Sequence, residues 1–222
     1  KELTAITVLR ALVLHRDDAS IQSNALRCLY CCPLDQVMRT LDGDWPKWTR
    51  TLSRADANDG FFAMLGDARD AHPADAPLAG EVARVLSRIF ESDDGQLALA
   101  PHLGENESVV KAAIKQLTFS MEKAIETFME KSLENLAVIS AALSFLAVTP
   151  FLPNATVAEY GLTLVARHPR CAWVILAVAK LFEKWGANSL RCAHALLEQF
   201  KPLDDLISNP ALAVAKKDEE PS

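Results

Sequence analysis

The chain has 222 residues, of which 50% are hydrophobic and 23% charged, too apolar for a polypeptide disordered along its length and long enough for a sizeable core. A formal charge of −6 argues against a general grip on nucleic acid, because neutralising phosphates needs a basic surface. The longest apolar run, Leu136 to Leu152, is broken by Ser140, Ser144 and Thr149-Pro150, and falls short of the roughly 20 residues that cross a bilayer.

In chain order, Glu2 to Arg16 carries apolar residues at helical spacing (Leu3, Ile6, Leu9, Leu12, Val13) and ends at the polar turn Asp17 to Ser20. Ser20 is expected to cap a helix from Ile21 to Cys32, with Ile21, Ala25, Cys28, Leu29 and Cys32 inward. Pro33 suits the first turn of a short helix stopped by Asp42-Gly43. Trp45-Pro46-Lys47-Trp48 opens another helix, which Asp59-Gly60 breaks before Phe61, Phe62, Met64 and Leu65. His72 to Pro77 is expected to be a loop, Leu78 to Glu91 a helix, and Ser92-Asp93-Asp94-Gly95 a turn.

Two amphipathic runs then follow with almost no loop between them. Val110, Ile114, Leu117, Met121, Ala124 and Phe128 form the first, and Leu136, Ile139, Ala142, Leu143 and Leu146 belong to the second. Such an antiparallel pair leaves an apolar flank uncovered on each helix and needs another pair stacked on either side. Asn154 is expected to cap a helix through His168, and Cys171 to Trp185 is the most apolar helix of all. Helices around 189–200 and 203–207 complete an expected domain over 1–209, and 210–222 reads as a flexible tail. Because Lys1 already lies within a helical pattern, the chain is expected to be part of a longer protein.

One small pattern recurs, alanine followed by a large apolar residue and a leucine three further on: Ala25-Leu26-Leu29, Ala113-Ile114-Leu117, Ala142-Leu143-Leu146 and Ala172-Trp173-Leu176. The alanine would let neighbouring helices approach and the larger residues would fill the layer between them. The segments Ser20 to Leu29 and Glu107 to Leu117, each with a polar cap ahead of an Ala-apolar pair, resemble the last helix of an armadillo repeat. That resemblance implies an all-α, armadillo/HEAT-like right-handed superhelix of stacked short helix pairs. It also implies a non-catalytic scaffold that binds a protein or peptide on its surface. An importin-type ladder would place Asn four residues after Trp, and Trp173 is followed there by Ala177.

No G-x-S-x-G elbow, H-E-x-x-H pair or phosphate-binding glycine loop occurs, and the acidic pairs Asp17-Asp18, Asp93-Asp94 and Asp204-Asp205 lie at helix boundaries. Neither an enzyme nor a cofactor is expected. Cys28, Cys31 and Cys32 could present two thiolates from one helix face, but tetrahedral zinc wants four ligands and no second pair follows nearby, so small buried thiols are expected and no metal. Five cysteines in helical patterns favour a reducing, cytoplasmic compartment over a disulfide framework.

The residues singled out for partner contact are Trp45, Lys47, Trp48 and Arg50, two indoles beside two cations, a composition favoured at interface hot spots. The same stretch fits a hydrophobic staple or core, and is similar to the Trp-basic signature of tubulin-binding TOG domains. Lys111 and Lys115, with Arg27 at a matching repeat position, form a second candidate surface. The rival functions are a regulatory helical domain of an enzyme or small-GTPase system, and a cytoskeleton-binding HEAT module.

Overall fold

In the computed structural model, residues 5–39, 60–100, 103, 109–131 and 135–185 are described. Every regular element among them is a helix: α1 (Ala5–Leu14), α2 (Ala19–Cys31), α3 (Leu34–Arg39), α4 (Phe61–Ala71), α5 (Ala76–Glu91), α6 (Asp93–Leu99), α7 (Val109–Lys131), α8 (Leu136–Val148), α9 (Ala155–Arg167) and α10 (Ala172–Trp185). The expected helices at Trp45–Ala55 and beyond residue 185, and the tail, lie outside the described residues.

Capping side chains set the starts of four helices. The Asp18 carboxylate accepts from Ile21 N, so α2 starts at Ala19 and Ser20 is inside it, not its cap. The Asp75 carboxylate accepts from Leu78 N at 2.7 Å, and α5 begins at Ala76 with Pro77 in its first turn, where a missing N–H costs nothing. The expected loop therefore ends at Asp75. Ser92 caps α6 by accepting from Gly95 N, which makes Asp93 to Gly95 the first turn of a helix, not a free turn. Asn154 caps α9 as expected, accepting from Thr156 N.

Consecutive helices pair, α1 with α2, α4 with α5, α7 with α8 and α9 with α10. Packing between pairs runs along two rows. In the first, α2 packs on α5, α5 on α8 and α8 on α10, and in the second α4 packs on α7 and α7 on α9. The core lies between the rows and is held by Leu26, Leu65, Leu86, Ile114, Leu117, Leu143 and Leu181, none more than 1% exposed. Phe62, Phe90 and Phe145 continue it from α4 through α5 to α8, with ring centroids 6.2 and 5.8 Å apart.

The Ala-apolar-Leu pattern is buried in its first three copies. In the fourth it is turned outward, with Trp173 48% and Leu176 58% exposed, because α10 packs through Val174, Ala177, Val178 and Leu181. Cys28, expected inward, is likewise exposed, while Gln22 is fully buried in α2.

Gln22 shows how buried helix ends are satisfied. The last carbonyls of a helix have no partner within it, and here side chains of other elements supply one. Gln22 Nε2 donates to Leu12 O and His15 O at the end of α1. Arg69, 2% exposed, donates to the carbonyls of His72, Pro73 and Asp75 and so shapes the turn between α4 and α5. Arg88 of α5 donates to Tyr30 O and Cys32 O at the end of α2. Lys184 of α10 donates to Leu146 O, Thr149 O and Phe151 O at the end of α8.

Burial pulls the Lys184 ammonium down to about 8 from 10.5. Between those values the unfolded chain binds the proton and the folded chain does not, so this residue's term makes stability rise with pH across that window. Urea unfolding at pH 7.5 and pH 9.5 should show wild type gaining on Lys184→Met over about that interval. At the α5–α6 corner, a Cβ on Gly95 would stand 1.9 Å from Ile89 O. Gly95→Ala should therefore lower stability by about 1–3 kcal/mol in the same assay.

Candidate functional site

The outer face of the first row carries a groove of about 690 Å³. Each helix contributes one stripe to it at helical spacing: Arg84, Ser87, Arg88 and Glu91 from α5, and Ala137, Ser140, Ala141 and Ser144 from α8. Tyr30 closes the α2 side, and Trp173 and Lys180 stand on the α10 side. The depression has a simple cause. Along this stripe α8 presents nothing larger than serine, while the helices flanking it present Arg, Tyr, Trp and Lys side chains that rise as walls.

The walls are charged and held in place. Glu81, with its side chain 4% exposed, accepts from Arg27 Nε and Arg84 Nη1, each at 3.1 Å. Burying a charged side chain is costly unless such partners surround it. Lys180 Nζ lies 2.9 Å from Glu91 Oε1 at the opposite edge. Arg88, anchored to the end of α2, sits 5.4 Å from the Tyr30 ring centroid and stacks on it as a cation. Among the lining residues three cations face one carboxylate, so the groove is locally basic in a chain whose formal charge is −6.

Ser87 and Ser140 lie beneath this surface and, with Gln22 Oε1, Arg69 Nε and His168 Nε2 elsewhere, are among the buried polar groups left without a partner. Their residues are 8% and 5% exposed, and their hydroxyls have no hydrogen-bond partner. A buried hydroxyl left unpaired costs about 1–3 kcal/mol. Elsewhere in the core Thr118 avoids that cost by donating to Ile114 O and meeting Thr149 Oγ1. No protein-family model matches the chain, and no curated protein or solved structure matches it at a significant level.

The residues chosen from sequence are placed differently. Trp45, Lys47, Trp48 and Arg50 lie outside the described residues. Arg27 stands on α2 of the first row, beside the groove through Glu81. Lys111 and Lys115 are on α7 of the second row. Cys28 and Cys31 are exposed and Cys32 is buried, and burial followed by its two neighbours raises the Cys32 thiol above its usual range, away from a reactive thiolate. Among the described residues no group of three or more His, Cys, Asp or Glu side chains is arranged to hold a metal ion.

Sequence reasoning passed over Tyr30, Arg84, Arg88 and Lys180. Two signals were present. Ser140 and Ser144 are four apart within the longest apolar run, hence on one helix face, and Trp173 is the one tryptophan in the four copies of the repeated pattern.

If the two orphaned hydroxyls serve the groove and not the fold, deleting them relieves the core. Ser87→Ala and Ser140→Ala should each raise unfolding free energy by about 1 kcal/mol. Chemical denaturation of the single and double variants checks this, and a loss of stability would mean that the hydroxyls are structural.

Proposed function

We propose that this chain is a non-catalytic protein-interaction module, a section of an armadillo/HEAT-like right-handed superhelix that holds a partner peptide or helix on the face of one helix row. The packing order supports the architecture: the pairs lean on one another through α2, α5, α8 and α10 along one row and through α4, α7 and α9 along the other, as stacked repeats do when no single pair can bury its own apolar flanks. The observation that carries the function is the groove between α5, α8 and α10, with small residues along its floor, two unpartnered hydroxyls, and the half-exposed rings of Tyr30 and Trp173 at its walls.

An exposed indole beside such a depression is the kind of anchor on which interface energy concentrates. Polar groups lining the same space fix the orientation of what is bound.

Selection of displayed random peptides against the whole chain tests this directly. Peptides recovered on wild type should bind Trp173→Ala at least about tenfold more weakly, and should bind Phe119→Ala, altered at an exposed ring on α7 of the other row, with unchanged affinity. Peptides insensitive to Trp173 would place the binding surface elsewhere.

A further inference from the structure

We infer that the groove selects an acidic segment: an extended peptide of a partner protein whose Asp or Glu carboxylate is received between α5 and α8, with an adjacent apolar side chain laid against Trp173. This rests on the peptide-binding reading above and adds the chemistry of the partner.

Charge supplies the first argument. Arg84, Arg88 and Lys180 line the groove against the one carboxylate of Glu91, an excess of two positive charges on a chain with a formal charge of −6. Such a local reversal of sign steers and orients an oppositely charged ligand. A basic peptide would meet the three cations first. Nucleic acid would meet the groove as well, but its long phosphate backbone would also run over the net-negative remainder of the chain.

Hydrogen-bonding capacity supplies the second. Arg84 engages Glu81 through Nη1 and Lys180 engages Glu91, while a guanidinium has five N–H donors and an ammonium three. These groups share a surplus of donors. An ionised carboxylate is acceptor-only with about four lone-pair sites, and charge-assisted bonds to it are the stronger kind.

Third, Trp173 and Tyr30 provide apolar area on either side of the donors. The ligand therefore needs a carboxylate with apolar flanks, which a run of acidic and apolar residues in an extended peptide supplies.

The test uses the whole chain and fluorescein-labelled peptides obtained by display selection, each paired with a copy in which every Asp and Glu is replaced by Asn and Gln. Anisotropy titrations should show the amide copies binding about tenfold more weakly or worse, the effect of losing one charge-assisted bond. Arg84→Ala and Lys180→Ala should each weaken the acidic peptides to a similar extent and flatten their salt dependence. If the recovered peptides depend on Trp173 but bind equally as amide copies, the acidic preference is wrong and the peptide groove stands. If no recovered peptide depends on Trp173, the groove reading itself fails.

Discussion

A helix that ends inside a protein leaves carbonyls without partners, and this fold answers that constraint repeatedly with a side chain from another segment. Arg88 of α5 closes the end of α2, and Lys184 of α10 closes the end of α8. Both links run along the same row of helices. Apolar burial drives the helices together without specifying how far one slides on the next, whereas a cation bonded to two or three carbonyls at a helix terminus fixes that offset and interacts favourably with the helix dipole. The row is thereby held in register.

The groove follows from that register. Anchoring Arg88 on the α2 terminus brings its guanidinium over Tyr30 and into one wall. Seating α10 through Val174, Val178 and Leu181 leaves Trp173 and Lys180 to form the opposite wall. Between them α8 contributes only alanine and serine along its outer stripe. The same helix packs on three neighbours, α5, α7 and α10, and its apolar residues are spent on them. What remains on its outer side is small, so the surface is recessed where a surface helix would ordinarily carry long polar chains.

Ser87 and Ser140 carry a cost to stability that alanine would avoid. Alanine would pack at both positions without an unanswered hydroxyl, and the neighbouring stripe already uses alanine at 137 and 141.

Much of the secondary structure was legible in the sequence because helical periodicity, capping residues and prolines act over a few neighbouring positions. Asn154, Pro150 and the α7–α8 pair were read in this way. Boundaries slipped where two adjacent residues could each cap, as Asp18 did ahead of Ser20, or where Ser92 turned an expected loop into a helix start. The sequence by itself determined an all-helical chain of short pairs with apolar flanks to cover. Which flank meets which neighbour was decided only by tertiary packing. Trp173 shares its local pattern with Leu26, Ile114 and Leu143, yet it faces outward because a helix rotates to bury whichever of its faces fits the adjoining helix. The site is built from α2, α5, α8 and α10, segments brought side by side by long-range contacts that leave no trace in local spacing.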